Sequence, residues 1–89
     1  MTWSLDKSSA DWSRWHRLTP TEQRKWDSFQ NAVSRGSDPQ SAASLLGAAD
    51  YKCLAGDQYQ IRLSQKNRAT FRVDRGTQTV TVLQVGGHT

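Results

Sequence analysis

From Tyr59 to Val73 the apolar residues of this chain recur at every second position. That period belongs to strands that bury one face and show the other to water. Tyr59, Ile61 and Leu63 alternate with Gln58, Gln60, Arg62 and Ser64. Ala69, Phe71 and Val73 alternate with Arg68, Thr70, Arg72 and Asp74. A slip of one residue would turn a whole apolar set to the wrong face, so the two sets must pair in phase. The simplest pairing sets Ile61 opposite Phe71 and Leu63 opposite Ala69. It leaves Gln65-Lys66-Asn67 as a three-residue loop, with Arg62 opposite Thr70 and diagonal to Arg68 and Arg72. A third strand, Thr79–Val85, follows a turn at Gly76. Its pattern is mixed, because Val80 and Val82 point one way and Leu83 and Val85 the other. Antiparallel to the second strand, it must end beside Arg68, which would bring His88 near Arg68 and the Gln65–Asn67 loop.

Ahead of these strands the period is helical. Thr19-Pro20-Thr21-Glu22 is a helix start. Thr19 caps, Pro20 takes the first helical position, and Glu22 completes a capping box. Trp26, Phe29 and Val33 form its core stripe. Gly36 stops it, and Ser37-Asp38-Pro39 prevents continuation. An earlier helix is expected from Ser8 or Ser9 to Arg17, with Trp12 and Trp15 on one face. Thr2–Leu5 alternates as a short strand, Gln40–Leu46 suits one or two helical turns, and 47–50 is a connection. The tryptophans are read as core rather than as a stacking surface for bases. The expected architecture is a single α+β domain spanning 1–89, in the order β-α-α-β-β-β. A helical hairpin packs on one face of a small, mostly antiparallel sheet.

A chain of 89 residues buries only about 60% of the surface its unfolded form exposes. A bound partner would therefore add appreciably to its stability. The single cysteine, Cys53, excludes an internal disulfide and has no metal-ligand spacing around it, so a half-buried free thiol is expected. No metal or other cofactor is expected. Met1–Ala10 lacks the apolar segment of a secretory signal, and no run approaches the roughly 20 apolar residues of a membrane helix. A cytoplasmic location without membrane partners is the expectation.

The net charge of +4 is uneven. Through residue 50, six Lys/Arg balance six Asp/Glu. Beyond it, Lys52, Arg62, Lys66, Arg68, Arg72 and Arg75 face only Asp57 and Asp74. The whole excess lies with the strands, which suggests that a polyanion or an acidic partner meets the sheet. The chain then ends in Gly86-Gly87-His88-Thr89. The glycines allow a turn or a close approach. Histidine is the side chain whose ordinary pKa suits proton transfer near neutrality. Arginines for phosphate beside a histidine for the proton are what metal-independent RNA cleavage requires. His16 is placed on the helical side, away from the arginine face, and is given no role.

Three stretches resemble the RelE/ParE superfamily of bacterial toxins from toxin–antitoxin pairs, in particular its YoeB-like and RelE-like end. They are Tyr59-Gln60-Ile61-Arg62-Leu63, Asn67-Arg68-Ala69-Thr70-Phe71-Arg72-Val73-Asp74, and Val80 through Val85 followed by Gly86-Gly87-His88-Thr89. The resemblance implies a toxin that cuts mRNA on the ribosome, or, in ParE-like members, a non-enzymatic inhibitor of DNA gyrase. It implies a cognate antitoxin as partner, and a homodimer or a toxin–antitoxin hetero-oligomer as assembly. By the same resemblance His88 transfers a proton, Arg68 stabilises the phosphate, and Asp50 is the nearest carboxylate to the family's base. Arg62, Arg72, Lys66 and Lys52 would bind RNA. Thr89 stands where YoeB-like toxins carry tyrosine, and Gln60 where RelE-like members often carry lysine.

Overall fold

A computed structural model describes residues 2–46 and 50–87. Its elements are β1 (Ser4–Asp6), a 3-10 turn (Trp15–Arg17), α1 (Pro20–Ser34), α2 (Pro39–Ser44), β2 (Lys52–Ala55), β3 (Gln58–Arg62), β4 (Arg68–Asp74) and β5 (Thr79–Val85). The five strands form one sheet in the order β1-β5-β4-β3-β2. β1 runs parallel to β5, and the other neighbours are antiparallel. The α+β architecture and the mostly antiparallel sheet agree with the sequence expectation. The sheet has one more strand than expected, because Lys52–Ala55 pairs with β3 across the Gly56-Asp57 turn.

The start of α1 follows its sequence signals. Thr19 Oγ1 accepts the Glu22 N–H at 3.2 Å, and Glu22 Oε1 accepts the Thr19 N–H at 2.8 Å. At its other end, the N–H groups of Gly36 and Ser37 donate to Val33 and Ala32, which satisfies two terminal carbonyls. Asp38 then caps α2, where Pro39 takes the first position. Trp26, Phe29 and Val33 are fully buried, and Phe29 lies 5.0 Å from Phe71 of β4 between ring centres. This stripe joins α1 to the apolar face of the sheet, formed by Ile61, Ala69, Phe71, Val73, Val80, Val82 and Val85.

The expected helix from Ser8 or Ser9 to Arg17 does not form. The Asp11 N–H donates to Leu83 O at 2.9 Å, and the Val85 N–H donates to Asp11 O at 3.3 Å. The chain is still bonded to the edge of β5 at Asp11, so a helix cannot begin there. Only the 3-10 turn at Trp15–Arg17 fits before Thr19, and Pro20 disfavours helical backbone at the residue before it. The helix pair is therefore α1 with the short α2. Trp12 and Trp15 still meet edge to face, at 5.5 Å.

The β3–β4 register also differs. Tyr59 faces Phe71, Ile61 faces Ala69, and Arg62 faces Arg68. The loop spans 63–67 rather than 65–67. The shift is two residues, so every side chain keeps its face and only its partner changes. The longer loop closes on itself: Leu63 and Ser64 N–H both donate to Asn67 O, while Ser64 Oγ accepts the N–H groups of Lys66 and Asn67. The mixed pattern of β5 has a similarly local cause. Gln84 pairs with Thr70 but Val82 with Phe71, so Leu83 is an extra residue in a bulge. Val80, Val82 and Val85 all reach the core because of it.

Candidate functional site

β3 and β4 bring the sequence-selected arginines to one face of the sheet, but to two different places on it. Arg62 and Arg68 are direct cross-strand partners. Arg72 pairs instead with Gln58 and Thr81, four residues further along β4. The register shift thus takes Arg72 out of diagonal reach of Arg62. Asp57 lies 3.6 Å from Arg72 Nε, and Asp50 lies 3.3 Å from Arg62 Nη2. Arg68 has no carboxylate partner among the described residues, and its buried Nε has no hydrogen-bond partner. Lys66 is exposed on the β3–β4 loop. Lys52 is exposed on the edge strand β2, opposite Gln60.

Beyond β5 the chain folds back over the start of β4. Arg68 N–H donates to Gly87 O at 3.0 Å, and Gly86 N–H donates to Arg68 O at 2.8 Å. The expected approach of the chain end to Arg68 is therefore seen as far as Gly87. His88 itself lies outside the described residues. Gly86 and Gly87 adopt φ of 101° and 88°, the left-handed region that glycine occupies without a side-chain clash. A Cβ on Gly87 would also overlap Arg14 Nη1, so the guanidinium lies directly over this backbone. Arg14, Arg17, Asn67 and Gly87 line a cavity of about 380 Å³. The site is thus more cationic than the strands alone suggested.

Beneath it is a buried carboxylate. Glu22 is 4% exposed. Its Oε2 accepts from Ser64 Oγ at 2.5 Å and from Asn67 Nδ2 at 2.7 Å, while Oε1 takes the Thr19 N–H. Burial alone would raise its pKa. The hydrogen bonds from Ser64, Thr19 and Asn67 outweigh that and bring the carboxyl down to about 2. Asn67 Oδ1 in turn accepts the Gly87 N–H at 3.0 Å. A continuous polar chain therefore links the start of α1, the β3–β4 loop and the backbone past β5.

Sequence reasoning missed four members of this constellation. Glu22 was read only as a capping residue, and Asn67 only as a turn residue. Arg14 and Arg17, three apart in a segment expected to be helical, gave no sign that they would meet Gly87. Cys53 is exposed rather than half-buried, because β2 is an edge strand whose residues all face solvent. His16 lies on the helical side, as expected. It lines a separate cavity of about 640 Å³ with Lys7, Trp12, Trp15, Asp27 and Gln30. Among the described residues no three His, Cys, Asp or Glu side chains gather as a metal site would need, and no helix is long and apolar enough to cross a membrane.

No protein-family model and no curated protein matches the chain. Solved structures do. A YoeB/ParE toxin from Agrobacterium tumefaciens superimposes with a TM-score of 0.63 at 20% identity, over 97% of this chain and 99% of that one. The YoeB dimer from Staphylococcus aureus gives 0.64 at 14% identity over the full length of both chains. This chain has the fold of the YoeB/ParE toxins, the fold that the resemblance of its strands to the RelE/ParE superfamily implied.

Proposed function

We propose that this protein is the toxin of a toxin–antitoxin pair and acts as an endoribonuclease on mRNA at the ribosome. The observation that carries the reading is Arg68. It has no carboxylate partner among the described residues, and its backbone is bonded to Gly87 at the edge of a cavity walled by Arg14 and Arg17. A forked guanidinium so placed suits the charge that gathers on phosphoryl oxygens in a transition state. The reaction is attack of a ribose 2′-hydroxyl on the adjacent phosphorus. A 2′,3′-cyclic phosphate forms as the bond to the 5′-oxygen breaks. Asp50 takes the 2′-hydroxyl proton, and His88, which follows Gly87 in the chain, gives a proton to the leaving 5′-oxygen. Arg62, Lys66 and Lys52 hold the RNA, with Arg72 touching only its flank. The basic sheet face suits an acidic antitoxin that orders on binding, and a dimer is the further assembly the similar YoeB structure suggests.

The competing reading, a gyrase inhibitor, is favoured by one feature: Asp50 is engaged by Arg62 at 3.3 Å. The two are separated by mapping mRNA ends by primer extension after incubation with ribosomes, in parallel with a supercoiling assay. New ends with unaffected supercoiling support the nuclease. Supercoiling inhibition without new ends overturns it. In cells, expression of the chain alone should slow growth, and co-expression of a neighbouring antitoxin should relieve it. Undisturbed growth at high soluble expression would remove the toxin reading altogether.

A further inference from the structure

We propose that Glu22 and Asn67 are positioning residues of this site: together they fix the backbone at Gly87 and, through it, the start of β4 at Arg68. The inference starts from the two ends of the Asn67 side chain. Its Oδ1 accepts the Gly87 N–H at 3.0 Å, and its Nδ2 donates to Glu22 Oε2 at 2.7 Å. A flipped amide would set an oxygen against a carboxylate and an NH₂ against an N–H. The ionised Glu22 therefore admits one orientation of Asn67, the one that offers Gly87 an acceptor.

Glu22 is itself immobilised. It is buried at the first turn of α1, and Thr19 N–H and Ser64 Oγ each donate to it as well. Helix and loop are thus joined here by charge-assisted bonds to Glu22, and the loop is joined to Gly87 by a neutral amide bond. The effect on function follows from where the last bond lands. Gly87 can adopt many backbone angles, and its φ of 88° is held by contacts from outside the residue. Its O accepts the Arg68 N–H, and His88 follows it in the chain. Loss of the Asn67 acceptor removes the side-chain restraint on the point on which both reacting groups of the proposed nuclease depend, and leaves it held through Arg68 alone. A misplacement of even about 1 Å at such a point can slow a reaction by around a hundredfold.

The kinetic part of this inference rests on the endoribonuclease reading, but the structural part does not, so the test has two arms. Amide hydrogen exchange is measured by NMR on the isolated protein. In Asn67→Ala the Gly87 amide should exchange about tenfold faster, while the amides of the Val80–Val82 ladder stay protected. With ribosomes and mRNA the same variant should lose about ten- to a hundredfold in kcat with KM unchanged. Glu22→Gln, which keeps the shape but not the charge, should change both quantities in the same direction by less. If Asn67→Ala does not fold, Glu22→Gln decides alone. Unchanged Gly87 exchange in a folded variant overturns the proposal. So does faster exchange with unchanged kcat, where the wild type cleaves and Arg68→Ala does not. If the wild type cuts no mRNA, the nuclease reading fails by itself, and the exchange arm still decides whether Glu22 and Asn67 hold Gly87.

Discussion

Arg68 and Arg72 are the same residue type on the same face of one strand, about 13 Å apart by strand rise. Their surroundings are opposite. At the Arg72 end the side chain is 56% exposed, Asp57 neutralises it, and the nearby turn at Gly56 is open to water. At the Arg68 end a second arginine faces it across the ladder, no described carboxylate pairs with it, and Gly87, Asn67 and Arg14 close in. An arginine-rich face is therefore not uniform in its electrostatics. Under the nuclease reading, the cation that serves chemistry is the one whose charge the fold leaves uncompensated, beside backbone that polar contacts hold still.

The sharpest way to break this contrast is Arg68→Ala. Under the nuclease reading it should lower ribosome-dependent cleavage by about a hundredfold or more. The melting curve should move little, since the side chain makes no ion pair among the described residues. Primer extension and a thermal melt check both halves. Full cleavage by a folded Arg68→Ala protein removes the distinction between the two ends.

Acid should weaken the molecule through the Arg68 end. The Glu22 carboxyl titrates at about 2 in the folded chain, against an ordinary value of 4.5. A depressed carboxylate contributes stability that is fully present above the unfolded value and is lost as pH falls through the folded one. Stability should therefore hold above about pH 5 and decline toward pH 2, with up to about 3 kcal/mol at stake. Denaturant melts across that range should show a clearly flatter decline for Glu22→Gln. Parallel pH curves for the two proteins would remove Glu22 as the acid-sensitive anchor.

How much of this contrast was legible in the sequence depends on the range of the interactions involved. The capping box at Thr19–Glu22 and the Trp26-Phe29-Val33 stripe are local, and both appear as read. The period-two runs identified the strands and their faces. They could not choose between registers two residues apart, because a shift of two leaves every apolar side chain on its own face. That choice set Arg62 opposite Arg68 and moved Arg72 away. The bonds of Asp11 to β5 join residues more than 70 positions apart, and they abolished a helix that local spacing favoured. Arg14 and Arg17 reach Gly87 by the same long-range route. The capping role of Glu22 was readable, whereas its bonds to Ser64 and Asn67 were not.

The glycines at the two ends sharpen the comparison. Gly56 has φ 57° and open space where a Cβ would stand, whereas Gly87 has φ 88° with Arg14 in the way. Left-handed backbone alone costs a non-glycine residue about 1–2 kcal/mol. Gly56→Ala should cost about that much in stability and leave cleavage intact. Gly87→Ala should cost at least as much and, by displacing Arg14, lower cleavage by about tenfold. Equal effects of the two substitutions on cleavage would argue that the Arg14 contact is incidental.

The smallest effect belongs to Arg72→Ala. An exposed ion pair of this kind contributes between about 0 and 1 kcal/mol, because water screens the charges and two long side chains must be ordered. Removing Arg72 also leaves Asp57 in water rather than buried, so no unpaired buried charge results. Stability should change by less than about 0.5 kcal/mol. RNA binding should weaken modestly and less so as salt rises, because a single flanking phosphate contact is electrostatic and screened. Under the nuclease reading, cleavage at saturating substrate should stay within about twofold of the wild type, since Arg72 lies too far along β4 to touch a phosphate bound at Arg68. A loss at saturation as deep as that of Arg68→Ala would mean that the reacting phosphate sits nearer the middle of β4 than the cavity beside Gly87.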